Sequence, residues 1–257
     1  MFEGFGMFAN LSRSLIAFGL LSSLASPAFS QRAQLSTTWW IEPVAPPIGV
    51  RQLASKEHVL KQRLLPSGLV RLSRPVTTGE AGFNLASGTE LLEVDGGPGA
   101  IFCDARLHSV GLIGGSPQGC FLDSDRDGRF DATFRTASQA PALVMIIGRM
   151  PRRTTPLAAP IAYSRADPAT STLGAFVAIE RRNYFNIYGR ENFMIAFGTA
   201  EKQERITDPI YFKTTDLPKQ MTILGSSFTA LSEAEGRMAI RVDAAMPRQP
   251  FGVIKTR

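Results

Sequence analysis

Cysteine, histidine and tryptophan are nearly absent: the 257 residues hold two of each. With only His58 and His108 there is little imidazole for general-base chemistry, and neither has a placed partner in the local sequence. No G-x-S-x-G, H-E-x-x-H, S-x-x-K, Walker A or G-x-G-x-x-G occurs, and Gly114-Gly115-Ser116-Pro117 lacks the spacing of a nucleophile elbow. Beyond the first thirty residues no apolar run reaches the roughly 18 residues a membrane helix needs, and the longest, 142–147, is strand-sized. No repeat of 20 to 50 residues is present, which weighs against a propeller or solenoid. Helical periodicity is weak, and its best candidates, 200–206 and a turn at 232–235, are short.

What is present begins with an export signal. Arg13 precedes the apolar run 15–24, and Ala28-Phe29-Ser30 offers small residues where a signal peptidase reads. A start at Met7 gives a tidier signal, because it discards Glu3 from the basic end. No cysteine follows the run and only one arginine precedes it, which excludes a lipoprotein anchor and twin-arginine export. Cleavage near Ser30 leaves a soluble mature chain, periplasmic or extracellular, without a membrane span.

Removing residues 1–30 takes away Glu3 and Arg13 together, so the net charge stays at +6. The charge is unevenly spread. Residues 51–74 carry Arg51, Lys56, Lys61, Arg63, Arg71 and Arg74 against Glu57 alone, whereas 80–131 is acidic. Such a segment can meet an anionic envelope component such as lipid headgroups or acidic polysaccharide. Export argues against nucleic acid. Charges alternating with Val, Leu and Ile are equally the ordinary pattern of a solvated strand face.

Cys103 and Cys120 are expected to pair, because thiols oxidise in an exported protein. Closing that 18-residue loop stabilises by about 3 kcal/mol in the chain-entropy picture. A metal site from Cys103, His108 and Cys120 is the alternative, but it offers three ligands at no common zinc spacing.

Residues 31–50 read as an extended lead-in, since Pro43, Pro46 and Pro47 forbid a helix. Trp39-Trp40 within it either pins this segment to the body by burying aromatic area or meets a partner. From 51 to 257 the pattern is mainly β. Met238, Ile240 and Val242 alternate with polar neighbours, as do Phe130, Ala132 and Phe134. Short β-forming runs recur at 110–113, 143–147, 175–179, 184–188, 193–197, 210–212 and 221–224, with Gly, Pro, Asp or Asn between them. The expected fold is an antiparallel sandwich or barrel with few short helices. Pro and Arg at 150–160 mark a seam or a long loop within one domain.

The most informative local stretch is CFLDSDRDGRFDATF, residues 120–134. Asp123, Asp125 and Asp127 alternate, Gly128 follows, and Asp131 closes the set. A calcium ion collects six to eight oxygens at about 2.3–2.6 Å, and this spacing offers several. The ligands would be Asp123, Asp125, Asp127, the backbone oxygen of Arg129, and Asp131 directly or through water, with Gly128 at the bend. The stretch resembles the D-x-D-x-D-G-x-x-D calcium loops set in β-hairpins, as in the integrin α-subunit propeller. It also shares positions one to nine with EF-hands, but position twelve is Phe134 where those carry a bidentate Glu. The likeness covers nine residues and implies an ion-binding role alone. A plain hydrophilic turn, its acids neutralised by Arg126 and Arg129, is the competing reading.

Two functions remain open from the sequence. One is a calcium-stabilised structural or binding module of the cell envelope. The other is a calcium-dependent hydrolase of polysaccharide or ester substrates, using carboxylates such as Glu90 with Glu93 or Asp95.

Overall fold

The computed structural model describes residues 33–78, 83–107, 116–140, 142–182, 190–206 and 209–252. Residues 1–30, expected to be an export signal, His108 and the runs at 110–113 and 184–188 lie outside them. Residues 32–257 form one compact unit. Its architecture is antiparallel β throughout, and no described helix is long and apolar enough to cross a membrane.

Six strands close into a barrel: Leu69–Leu72, Glu90–Val94, Ala100–Asp104, Ser116–Asp123, Arg129–Ser138 and Thr155–Ala166. Each pairs with its neighbour in this list and the last returns to the first, so the barrel is an up-and-down meander with no free edge. A seven-stranded sheet is built around His58–Pro66, Phe176–Arg182 and Arg190–Gly198, with Trp39–Ile41 and Pro250–Phe251 on one flank. A four-stranded sheet runs Lys219–Ile223, Ser226–Ala234, Arg237–Ala244, Val50–Leu53.

Side-chain alternation explains the cores. In Ala100–Asp104, Ala100 and Phe102 point into the barrel, while Ile101 and Cys103 join a larger core outside its wall. Leu91 and Leu92 divide the same way. Both faces of these strands are therefore apolar. Phe130, Ala132 and Phe134, expected on one face, are split: a register shift between Phe130 and Ala132 leaves Phe130 inside the barrel and turns the other two to the outer core.

Several expectations need correction. Residues 200–206 are not helical, because Gln203–Arg205 pairs at the edge of the large sheet. Residues 232–234 extend strand Ser226–Ala234, and the short helices among the described residues are 3-10 turns at Pro168–Thr170 and Thr214–Asp216. Of the run 143–147, only Ile147 begins a strand, Ile147–Arg149; 143–146 is a buried loop. Its polar backbone is satisfied piecemeal, through Thr37 N–H to Ile146 O, Gln139 N–H to Met145 O and Met145 N–H to Ser138 Oγ.

The segment read as a lead-in is woven into the body. Gln34–Ser36 pairs with Ile147–Arg149, and Trp39–Ile41 pairs on both sides, with His58–Pro66 and Pro250–Phe251. Trp39 is fully buried, and its Nε1–H donates to Val144 O at 2.8 Å. Residues 150–160 run into barrel strand Thr155–Ala166.

Candidate functional site: the acidic tip of the barrel hairpin

The acidic loop joins Ser116–Asp123 to Arg129–Ser138, adjacent strands of the barrel. Asp123 is two residues beyond Phe121, a barrel-interior side chain, so it falls on the same face of the strand. It is fully buried. Below it, Tyr163 stacks on Phe130 with ring centroids 4.4 Å apart and lies 5.2 Å from Phe102. The loop thus sits over an aromatic barrel core.

A buried carboxylate needs donors, and Asp123 has three. Tyr163 Oη–H donates to Oδ2 at 2.7 Å, Gly128 N–H to Oδ2 at 3.0 Å, and Asp127 N–H to Oδ1 at 3.2 Å. Burial raises the Tyr163 phenol well above its ordinary range, and its bond to Asp123 and the charge there push the same way. Asp131 Oδ2 accepts from Ser124 Oγ at 2.6 Å and Ser124 N at 2.7 Å, which holds its carboxyl below the usual range. Asp125 Oδ1 accepts from Asp127 N at 3.2 Å.

These bonds curl the loop so that Asp123, Asp125 and Asp131 converge: one oxygen of each lies within 4.8 Å of the others. Oxygens bound to one ion at about 2.3–2.6 Å are at most about 5 Å apart, so one cation can touch all three. Asp127 is not in this group; its Oδ1 accepts from Arg129 N–H at 2.8 Å. Arg129 begins the exiting strand. Gly128 has φ +88° and Arg126 φ 62°, so the bend uses two left-handed residues. Among the described residues no ion pair joins Arg126 or Arg129 to these acids. The neutralised-turn reading therefore lacks its arginine contacts.

Cys103 and Cys120 form a disulfide between directly paired positions of neighbouring barrel strands. Oxidation removes the thiolates that a Cys–His metal site requires. The bond ties the strand that leads into the acidic loop, three residues before Asp123.

Sequence reasoning missed Tyr163, Ser124 and Gly99. A Cβ on Gly99 would lie 2.2 Å from Asp123 O, so the 95–99 turn supports the base of the loop through a contact only glycine allows. Tyr163 is 40 residues from its partner and no local motif marks it.

The carboxylates suggested for hydrolysis do not converge. Glu90 and Glu93 lie on opposite faces of one strand. Glu90 is held by Arg71 at 2.8 Å, Glu93 faces Arg165 at 3.8 Å, and Asp95 accepts from Thr38 Oγ1 at 3.1 Å. His58 Nε2 is 3.8 Å from Glu180, but Glu180 is also shared by Arg182 and Arg205. Burial lowers the His58 pKa, opposed by Glu180 and aided by Lys61 and Arg205.

The basic segment divides in two. Arg63 donates to Ser171 O, Arg71 pairs with Glu90, and Arg74 donates to Pro160 O. Arg51, Lys56 and Lys61 instead line one hollow.

The chain matches no family model, no curated protein and no solved structure. The class it defines is therefore a structural one: an antiparallel β-barrel protein with a cross-strand disulfide and an acidic hairpin tip able to hold a metal ion.

Proposed function

We propose that this is an exported protein whose hairpin tip binds calcium, and that it acts as a structural or binding module of the cell envelope. The observation that carries the reading is the convergence of Asp123, Asp125 and Asp131 over the barrel core. Three like charges so close repel one another, and a divalent cation removes that cost. Calcium suits the tip better than magnesium, since the site brings together three carboxylates where magnesium usually takes one or two and keeps several waters. The D-x-D-x-D-G-x-x-D resemblance implies that the Arg129 carbonyl and Asp127, which lies outside the group of three acids here, would complete the shell. The apolar run 15–24 and the disulfide both support export, with an oxidising compartment beyond the inner membrane. Of the basic residues of 51–74, Arg51, Lys56 and Lys61, which line one hollow, supply the contact to an anionic envelope component.

The metal reading is tested by thermal melting in calcium and in EGTA. Ion at a hundred times its dissociation constant adds about 2.7 kcal/mol, or roughly 5–10 °C in a protein of this size. Asp125→Ala should remove the difference, because Asp125 is exposed and serves the fold little. A wild-type melt indifferent to chelator defeats the proposal.

A further inference from the structure

We infer that the hollow beside the 43–50 loop is a docking surface for anionic lipid, which rests on the reading of the 51–74 segment as an anionic-partner surface and narrows it. The hollow measures about 740 Å³ and is bounded by Val44 and Pro47 on one side and by Arg51, Lys56, His58 and Lys61 on the other. It lies where Val50–Leu53 of the small sheet turns into His58–Pro66 of the large one.

The three cations are oriented but not neutralised. Arg51 Nη1 donates to Val59 O at 3.3 Å, a bond that fixes the guanidinium and leaves its charge. The Lys61 ammonium sits 3.9 Å from the centre of the Phe176 ring. Lys56 is exposed and occupies the left-handed region at φ 71°, in a turn closed by Glu57 Oε2 accepting from Ala54 N–H at 2.7 Å. Glu57, the one carboxylate among the lining residues, is oriented by this bond and keeps its charge, so the hollow sets three cations against one anion. None of the three cations forms an ion pair among the described residues.

The second observation is apolar. Five large hydrophobic side chains are exposed among the described residues, and two fall on this loop, Val44 at 44 % and Ile48 at 101 %. Proline at 43, 46 and 47 stiffens the loop, so Ile48 projects at low entropic cost. A soluble polyanion would use the cations and leave Ile48 in water. A bilayer with anionic headgroups takes both: phosphates against Arg51, Lys56 and Lys61, and acyl boundary against Val44 and Ile48.

The test is co-sedimentation of the full chain with vesicles of phosphatidylcholine alone and of phosphatidylcholine mixed with phosphatidylglycerol. All variants share the apolar run at 15–24, so differences between them report the hollow. The expected result is preferential binding to the anionic vesicles, weakened by salt. Lys56→Gln and Lys61→Gln should each lower partitioning roughly fivefold, and Ile48→Asp should also lower it with an unchanged melting temperature. Equal binding to both vesicle types overturns the inference. If dextran sulfate is bound and neither vesicle nor Ile48→Asp has any effect, lipid docking falls while the anionic-partner reading stands. If neither dextran sulfate nor vesicles are bound, both fall.

Discussion

Asp123 is the residue on which the tip depends, because its carboxylate is buried and faces both the barrel and the loop. Three donors make that burial tolerable, and one of them is removable without changing shape. Tyr163→Phe keeps the stack on Phe130 but withdraws the hydroxyl. Loss of a hydrogen bond to a buried charge costs about 1.5–3 kcal/mol, to be read as a lower denaturation midpoint with an unchanged slope. Gly99→Ala acts on the same residue from outside the loop, through the Asp123 backbone carbonyl. Its Cβ cannot sit 2.2 Å from Asp123 O, so the backbone must shift, and the calcium-dependent gain in melting temperature should shrink. A gain equal to wild type would show that the 95–99 turn does not support the site. Asp125 and Asp131 could be picked out from spacing alone; Tyr163 and Gly99 could not, since nothing within a few residues of either marks the contact.

Among the elements, the junction of the two open sheets is held by a fully buried ion pair. Arg181 of Phe176–Arg182 and Glu191 of Arg190–Gly198 bond in bidentate fashion at 2.9 and 2.8 Å, both at 0 % exposure. Arg181 Nη1 also donates to Leu53 O at 2.6 Å and Gly236 O at 2.7 Å, two carbonyls of the small sheet. One guanidinium therefore ties one sheet to the other. Glu191→Leu should cost about 3–5 kcal/mol, because it strands a buried cation, and Arg181→Met with Glu191→Leu should recover much of that loss. Urea melts of the single and double variants check this. In the sequence these residues lie outside the apolar runs 175–179 and 193–197, with nothing to say they face inward. The β-runs at 193–197, 210–212 and 221–224 were legible because periodicity is a property of neighbours, whereas 200–206 was misread because an edge strand of three residues is too short to show its period.

At the scale of the whole molecule, acid should act in two stages. His58 has a lowered pKa from burial, so the fold prefers its neutral form. Its stabilisation is complete above the ordinary imidazole range of about 6.5 and fades as pH falls below it. Asp216, lowered chiefly by the Lys213 backbone, and Asp243, lowered chiefly by Arg241, are depressed carboxylates. Their contribution is present above the ordinary range near 4 and is lost as pH falls through their folded values. Melting temperature against pH should therefore show a first decline below about 6.5 that His58→Gln abolishes, and a second below about 4 that it leaves intact. A single decline in both proteins would remove His58 from the account.

Residue order alone was enough for the β class, the pairing of the only two cysteines and the place of the acidic tip, since each is written in short-range spacing or in a count. Tertiary packing, of the open sheets as well as the barrel, settled the rest. It brought Tyr163 under Asp123, drew three acids together and left Asp127 outside their group. It also turned Trp39 inward with the segment that carries it, and divided six neighbouring cations between internal bonds and one open hollow. These outcomes depend on which strands lie side by side, and partners 40 to 105 residues apart leave no mark on each other's local sequence.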